Sequence, residues 1–176
     1  MEDTNNKKGI IREWGPTILA AVIIGLSLWK FVIYSVWITS GSMIPTLEVK
    51  DRLIATRVHN PHNLKRGDII IFQSDELEAT LIKRLIGLPG DHIEIENGVV
   101  TLNGEVLDES YVKNNDYSKV GNGVFDVPED KYFFLGDNRP RSEDSRYWEN
   151  PYIDAEKIEG KAKVKIYPFS EFKMYK

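Results

Sequence analysis

The sequence predicts a mainly β, antiparallel domain preceded by one N-terminal transmembrane helix. Two observations predict this fold class: residues 14–38 are almost entirely apolar, and after Pro45 the chain divides into short apolar segments separated by Gly, Pro and Asn turns. The 176 residues contain no internal repeat, low-complexity tract or linker. We therefore expect a single modest domain with an appendage.

The apolar segment is long enough to cross a bilayer. It begins with 16 uncharged residues, from Trp14 to Trp29, and continues beyond Lys30 to Ile38. As a helix, residues 14–38 would measure roughly 37 Å, which exceeds the ~30 Å hydrocarbon core of a membrane. Lys30 lies near the end of the span, where its ammonium can reach the headgroups.

The flanking charges predict the orientation of this helix. Lys7, Lys8 and Arg12 precede it, so residues 1–13 are expected to be a cytoplasmic tail and residues 39–176 an extracytoplasmic β domain. A buried core helix and a cleaved signal peptide are the two alternatives. The length disfavours the first, and the absence of an Ala-x-Ala-like site disfavours the second.

Composition excludes several functions. With no cysteine, the chain has no disulfide framework, zinc–thiolate site, iron–sulfur cluster or thiol nucleophile. A net charge of -4 gives no basic surface for nucleic acid. Three histidines leave little scope for a metal site, so we expect neither a metal nor a cofactor.

The β domain is predicted from short apolar segments and their turns. The segments expected to form strands are 52–58, 68–72, 80–86, 92–95, 99–102, 105–107, 132–135 and 162–167. Asn97-Gly98 and Asn103-Gly104 are typical of tight hairpin turns. Residues 113–123 lack apolar periodicity and are expected to form an exposed loop.

The first candidate chemical group is a pair of serines directly after the apolar span. In an extended chain Ser40 and Ser42 point to the same side, and Gly41 between them permits close approach of another backbone. Such a pair suits a nucleophile and an oxyanion donor. From composition alone, a Ser/Gly linker between helix and domain is the favoured alternative.

The second candidate is Lys83, within a strand whose same-face neighbours are Leu81 and Leu85. The lysine either lies at a sheet margin in water, the commoner case, or is buried. Burial would lower its pKa and leave free amine at neutral pH. A free amine can take the proton of a serine hydroxyl.

The third candidate is the polar stretch after the strand 132–135. If residues 142–146 are extended, Ser142, Asp144 and Arg146 share a face. A hydroxyl and an ion pair there could orient a lysine, although a solvated polar turn is the simpler alternative.

Four blocks in order resemble bacterial type I signal peptidases. They are Ser-Gly-Ser-Met-Ile-Pro-Thr (40–46), Arg-Gly-Asp-Ile-Ile-Ile-Phe (66–72), Lys-Arg-Leu-Ile-Gly-Leu-Pro-Gly-Asp (83–91) and Gly-Asp-Asn-Arg-x-x-Ser-x-Asp-Ser-Arg (136–146). The resemblance extends from about residue 11 to residue 168, and the compact length is similar to the short, single-anchor form of the family. One stretch departs from the family pattern, residues 147–152, where an aromatic followed by Gly is usual.

The resemblance implies a membrane-bound serine endopeptidase of the signal-peptidase fold that removes signal peptides from exported preproteins, cleaving after small residues in Ala-x-Ala-like sites. It places the enzyme in the bacterial cytoplasmic membrane with its catalytic domain outside. Its implied partners are preprotein signal peptides, the lipid bilayer and the secretion translocon, with no nucleic acid.

The resemblance also implies a role for individual residues. Ser42 is the nucleophile and Lys83 the general base. Ser40 supports the oxyanion, Ser142 orients the lysine, and Asp144 and Arg146 form the supporting ion pair. Shallow pockets for small substrate side chains at positions −1 and −3 are lined by Val36, Ile38, Met43, Leu47 and Ile82.

Three alternatives remain at this point. A Ser-His-Asp hydrolase would pair Ser42 with His59, His62 or His92, although the chain has no nucleophile-elbow motif. His59 and His62 could also bind a metal. From a different class, a membrane-tethered β module could bind or scaffold secretory partners without chemistry.

Overall fold

The computed structural model describes residues 3–113 and 121–175, in two compact units, Met1–Tyr34 and Ser35–Lys176. The first unit consists mainly of helix α1, Asp3–Phe31. The apolar side chains of Ile18, Leu19, Ile23 and Leu26 on this helix are exposed. Within the described residues, no helix combines the length and the apolar content needed to span a membrane.

The prediction of a single helix over 14–38 is wrong at its C-terminal end. The helix ends at Phe31, and Ile33–Trp37 form strand β1. The alternation of β-branched and aromatic residues in this stretch favours a strand once a partner is present. Ser35 accepts a hydrogen bond from the Arg52 side chain of the next strand at 3.0 Å, which helps to hold β1 in the sheet.

Eleven further strands follow β1 in the described residues. They are β2 (Arg52–Arg57), β3 (Ile69–Ser74), β4 (Ala79–Gly87), β5 (His92–Glu96), β6 (Val99–Leu102), β7 (Glu105–Val106), β8 (Gly123–Asp126), β9 (Lys131–Leu135), β10 (Tyr152–Asp154), β11 (Ile158–Tyr167) and β12 (Lys173–Met174). Short 3₁₀ helices cover Pro61–Asn63, Arg139–Arg141, Ala155–Lys157 and Phe169–Glu171.

The strands form two sheets. The larger has the order β1-β2-β11-β3-β4-β9-β10, with β12 paired to β11, and the smaller has the order β7-β6-β5-β8. The pairings of β2 to β12 are antiparallel. The mainly β, antiparallel fold class is therefore confirmed, and each of the predicted strands is present.

The hairpin turns are also confirmed. Asn97 and Gly98 have φ values of 50° and 80°, and Asn103 and Gly104 have φ values of 51° and 85°. Asn and Gly tolerate this left-handed region, which the tightest hairpin turns require. Residues 114–120, most of the predicted loop 113–123, lie outside the described residues.

Alternation along β4 and β9 creates two separate cores. Leu85 of β4 and Phe134 of β9 belong to one, whereas their neighbours Ile86 and Phe133 belong to the other. The second core also contains side chains of β5 and β6, so the smaller sheet packs on that face. Lys83 lies two residues before Leu85 and therefore on the same face of β4, opposite the face that the smaller sheet covers.

The stretch 147–152, where the sequence departs from the family pattern, is packed against the first core. Trp148 is buried edge-on to Phe72, with ring centroids 6.2 Å apart. Both Glu76 carboxylate oxygens accept backbone hydrogen bonds, from Glu149 at 3.1 Å and Asn150 at 3.2 Å. The departure is therefore accommodated by an ordered turn that leads into β10.

Candidate active site

Ser42 lies in a turn between β1 and β2. The turn is closed at its base by hydrogen bonds from Ile38 N to Asp51 O, at 2.9 Å, and from Lys50 N to Ile38 O, at 2.8 Å. Ser42 itself is 6% exposed. Ser40 is exposed beside it, and the two hydroxyl oxygens are 3.4 Å apart. The predicted juxtaposition of the two serines is thus present.

Lys83 is in the middle of β4, opposite Ile70 of β3, and is only 4% exposed. Burial lowers the pKa of Lys83 from 10.5 to about 8. Asp144 and Glu143 oppose this shift, and the Arg146 charge adds to it. The sequence left open whether Lys83 is at a sheet margin in water or buried, and the structure shows that it is buried.

Ser42 and Lys83 line one open cleft of about 470 Å³. The cleft is lined by Ser40, Gly41, Ser42, Ile44, Leu77, Leu81, Lys83, Asn138, Arg141 and Glu143. Two residues that lie 41 positions apart are therefore brought to the same cavity. Leu81 and Lys83 of β4 both line this cleft, because residues two positions apart in a strand point to the same face.

The loop after β9 donates hydrogen bonds to the backbone carbonyl groups of the Ser42 turn. Asn138 donates from its amide N–H to Ser42 O at 3.0 Å and from its side chain to Gly41 O at 2.9 Å. A Cβ at Gly136 would lie 2.5 Å from Ser42 O and 2.1 Å from Ser142 Oγ. Only glycine allows this contact, and it brings the Ser142 side chain and the Ser42 backbone together at one face of Gly136.

Asp144 and Arg146 form the predicted ion pair. Arg146 Nε and Nη2 donate to the two Asp144 oxygens, each at 2.8 Å, and both side chains are almost completely buried. Asp144 also accepts from Gly136 N at 2.9 Å. The bidentate pair therefore holds the loop near Lys83 in a defined conformation.

Ser142 is 4% exposed, and its hydroxyl has no hydrogen-bond partner among the described residues. A buried hydroxyl without a hydrogen-bond partner is costly, so its presence calls for a structural or functional explanation. Ser142 lies between Gly136 and the Asp144 pair, on the loop that faces Lys83.

A second buried ion pair was not found from the sequence. Arg84 donates to both Asp137 oxygens, at 2.8 and 2.6 Å, and Asp137 accepts from the Thr46 hydroxyl at 2.5 Å. This pair ties β4 to the loop after β9 and to the Ser42 turn. No short-range sequence pattern signals this pair, because its two members lie 53 positions apart.

The residues predicted to form the substrate pockets do not line the cleft that contains Ser42 and Lys83. Met43 and Leu47 are 0% exposed, Ile38 is buried, and Val36 and Ile82 are half-buried. None of the five lines the 470 Å³ cleft, whose apolar walls are formed by Ile44, Leu77 and Leu81.

The histidines lie away from this cleft. His62 lies 3.8 Å from Asp130, and His92 contacts Asp126 and Glu94 on the smaller sheet. None of His59, His62 and His92 lines the cleft. Across residues 3–113 and 121–175, no group of three or more His, Asp or Glu side chains could hold a metal ion.

A hydrolase of the Ser–Lys class requires a serine and a lysine with a lowered pKa in one accessible cleft. Here Ser42 and the buried Lys83 line such a cleft, beside the loop that the Asp144–Arg146 pair holds in place. The family described as "Signal peptidase, peptidase S26" matches residues 11–167. The chain belongs to this signal peptidase family.

Individual relatives agree with this assignment. Signal peptidase I P of Bacillus subtilis subsp. natto is 38% identical, with 99% of this chain and 98% of the relative covered. Probable signal peptidase I-2 of Synechocystis sp. is 39% identical, with 89% and 73% covered. The crystal structure of a signal peptidase I from Enterococcus faecalis V583 is 34% identical with a TM-score of 0.50, covering 56% of this chain and 96% of that one. The predicted family is confirmed, and with it the prediction of a signal peptidase.

Proposed function

We propose that this chain is a serine endopeptidase that removes N-terminal signal peptides from exported preproteins, with Ser42 as nucleophile and Lys83 as general base. The observation that carries this proposal is the shared cleft of Ser42 and the buried Lys83. With a Lys83 pKa of about 8, roughly one lysine in ten carries a free amine at pH 7. That fraction is adequate for a base whose pKa lies near the operating pH.

In the proposed reaction Lys83 Nζ takes the proton of Ser42 Oγ, and Oγ attacks the carbonyl carbon of the scissile bond. The tetrahedral intermediate collapses as the Lys83 ammonium returns that proton to the leaving amine of the mature protein. Lys83 then takes a proton from a water, whose oxygen attacks the acyl carbon. The Lys83 ammonium returns this proton to Ser42 Oγ as the ester bond breaks and the signal peptide is released.

Ser40 and the Ser42 backbone N–H are proposed to stabilise the oxyanion. The support is the 3.4 Å separation of the two hydroxyl oxygens, which puts the Ser40 donor beside the reacting centre. A single donor of this kind typically contributes about 2.7–4 kcal/mol to transition-state stabilisation.

Ser142 is proposed to orient the Lys83 amine, and the Asp144–Arg146 pair to hold Ser142 in place. The buried hydroxyl without a partner supports the first role. The two 2.8 Å bonds of the pair, together with the bond from Gly136 N, support the second.

The substrate is proposed to bind as an extended chain and to be cut after a small side chain, in an Ala-x-Ala-like site. Extended peptides bind by pairing their backbone with strand edges. The proposed pockets at positions −1 and −3 involve Val36, Ile38, Met43, Leu47 and Ile82. The support for these five residues is the resemblance to the family, since none of them lines the 470 Å³ cleft.

We further propose that the apolar helix α1 anchors the protein in the bacterial cytoplasmic membrane. The 16 uncharged residues of 14–29 and the exposed apolar side chains of α1 support an anchor. Lys7, Lys8 and Arg12, which precede the uncharged residues 14–29, support a cytoplasmic N-terminus. The lipid bilayer and the secretion translocon are the proposed partners outside the reaction. Alkaline extraction of bacterial membranes, followed by protease treatment of intact spheroplasts, tests anchoring and orientation. Digestion of the β domain only after lysis would contradict the orientation.

The test of function is cleavage of a preprotein by the full chain purified in detergent. Ser42→Ala and Lys83→Ala are each expected to abolish cleavage, and Lys83→Arg is expected to fail too, because a guanidinium stays protonated. Ser142→Ala is expected to retain partial activity, about tenfold below that of the unmodified protein. Circular dichroism of each variant controls for folding.

Wild-type protein that leaves the preprotein intact, or a Lys83→Ala variant with full activity, would contradict the proposal. In the first case a non-catalytic membrane-tethered β module becomes the preferred function.

A further inference from the structure

Two cations line a groove that adjoins the candidate active cleft. This depression, of about 420 Å³, is lined by Ile44, Pro45, Lys113, Asn138 and Arg141. Ile44, Asn138 and Arg141 also line the cleft that contains Ser42 and Lys83. The cleft and the groove therefore form adjoining parts of one surface, and a chain bound at Ser42 can continue into the groove.

A buried ion pair positions both cations. Arg139, 1% exposed, donates to the two oxygens of Glu109, and Tyr111 donates to Glu109 at 2.8 Å. The guanidinium carbon of Arg84 lies 3.9 Å from the centroid of the Tyr111 ring. The segment carrying Glu109 and Tyr111 is thus held against the loop after β9 by Arg139 and against β4 by Arg84.

Arg141 follows Arg139 by two residues, and Lys113 follows Tyr111 by two residues. Arg141 follows Arg139 in the same 3₁₀ turn, and its N–H donates to Asn138 O at 2.9 Å. Lys113 follows Tyr111, and Val112 N donates to Glu109 O at 2.8 Å. The backbone is therefore held in place at Arg141 and at the residue before Lys113, while both cationic side chains are exposed at the groove.

The groove has a net positive charge. Among the described residues, neither Arg141 nor Lys113 forms an ion pair, and no carboxylate lines the groove. Glu143 lines the adjoining cleft together with Arg141, and its charge acts on Lys83. An anionic side chain in the groove would gain two cationic neighbours without displacing an ion-pair partner among residues 3–113 and 121–175.

We propose that Arg141 and Lys113 form a subsite for an acidic side chain within the first three residues of the mature protein, after the scissile bond. This inference rests on the proposed function. The part of a signal peptide before the bond consists of an apolar region and small residues, which offer no counterpart for two cations. The mature sequence is free to carry an acid, and at about 3.3 Å per residue an extended chain passes from the cleft into an adjoining groove within a few residues.

The expected effect is moderate, because exposed ion pairs are individually weak. We expect kcat/KM for a substrate with Asp at the favoured position to exceed that for the Lys substrate about three- to tenfold. The ratio should fall towards one in high salt, since exposed charges are screened.

The experiment uses the full chain in detergent and peptides that share one signal sequence and carry Asp, Asn or Lys at position +1, +2 or +3. The Asp-to-Lys ratio of kcat/KM is measured for wild type, Arg141→Gln, Lys113→Gln and Arg141→Glu. Lys65→Gln is the matched control, because it removes one exposed positive charge outside both depressions. A ratio within each variant is independent of any change in overall activity or active fraction.

The ratio is expected to fall in Arg141→Gln and Lys113→Gln, to invert in Arg141→Glu and to be unchanged in Lys65→Gln. Equal cleavage of all peptides by wild type, or an unchanged ratio in Arg141→Glu, would overturn the subsite while leaving the proposed function intact. Wild-type protein that cleaves no peptide of the set would overturn both.

Discussion

Two lysines of the larger sheet are almost equally buried but differ in their electrostatic state. Lys83 of β4 is 4% exposed and Lys165 of β11 is 5% exposed. Lys165 contacts Glu171 at 2.7 Å and Asp51 at 3.1 Å, whereas Lys83 forms no ion pair with a described residue. The comparison separates the effect of burial from that of a partner.

The pKa shifts of these lysines have opposite signs. Burial lowers the pKa of Lys83 to about 8. Burial also opposes the charge on Lys165, but hydrogen bonds to Glu171 and Asp51 outweigh it, so the pKa of Lys165 is raised. Burial therefore produces a potential base only where carboxylates stay outside hydrogen-bond distance, whereas a paired lysine stabilises the fold.

The largest effect is expected from Lys83→Met, which keeps the apolar stem and removes the amine. Cleavage should fall at least about 10³-fold, because a general base is lost. Folding stability should be unchanged or higher, since an unpaired buried amine is itself costly. Preprotein cleavage and thermal unfolding measured on one sample check both parts, and a clearly destabilised variant would contradict the comparison.

The corresponding change at the other lysine, Lys165→Met, should affect stability. It leaves the Asp51 carboxylate, 2% exposed, without its cation, at a cost of about 3 kcal/mol in the free energy of unfolding. Lys163→Met on the same strand, at a half-buried position, is the matched control and should stay within about 0.5 kcal/mol. Urea unfolding measures both, and equal midpoints for the two variants would be evidence against a structural role of Lys165.

The pH dependence of cleavage should report Lys83. A base with a pKa of about 8 is active as the free amine, so kcat/KM should rise about tenfold per pH unit below that value and level off above it. Peptide cleavage between about pH 6 and 10 measures this limb. Activity that is flat over this range would mean that no group with this pKa acts as the base.

The smallest effect is expected from Glu143→Gln. The Glu143 charge raises the pKa of Lys83, so its removal should move the pH limb to lower values. Because Glu143 is exposed, the shift should be about half a pH unit or less. Glu149→Gln, an exposed carboxylate in the following turn, is the control. A shift of the limb to higher pH in Glu143→Gln would mean that the Glu143 charge does not raise the pKa of Lys83.

Local patterns predicted most of the strands but not every boundary. Period-two alternation and Asn-Gly turns act over a few residues, which is why β5 and β6 and their turn were correctly predicted. Strand β1 was assigned to the helix because its apolar residues fit either structure, and only pairing within the sheet decides between them. Strands β8, β10 and β12, of two to four residues each, were not predicted, because such short strands depend on their neighbours in the same way.

The candidate site divides similarly between local and long-range information. The serine pair and the Asp144–Arg146 pair could be proposed from spacing, because their members are two residues apart. The contacts of Arg139 with Glu109 and of Arg84 with Asp137 join residues 30 and 53 positions apart, and no local pattern predicts them. The same holds for the residues that line the cleft walls.

The sequence by itself determined the antiparallel β class, the turns and the family, because each is written in short-range periodicity or in ordered motifs. Only the tertiary structure decided that Lys83 is buried without a carboxylate partner while Lys165 is buried with two. A strand alternates its side chains regardless of what covers them, so the surroundings of each lysine are set by the elements packed on that face. The electrostatic state of a side chain depends on those surroundings, and for Lys83 they come from a loop some 60 residues further along the chain.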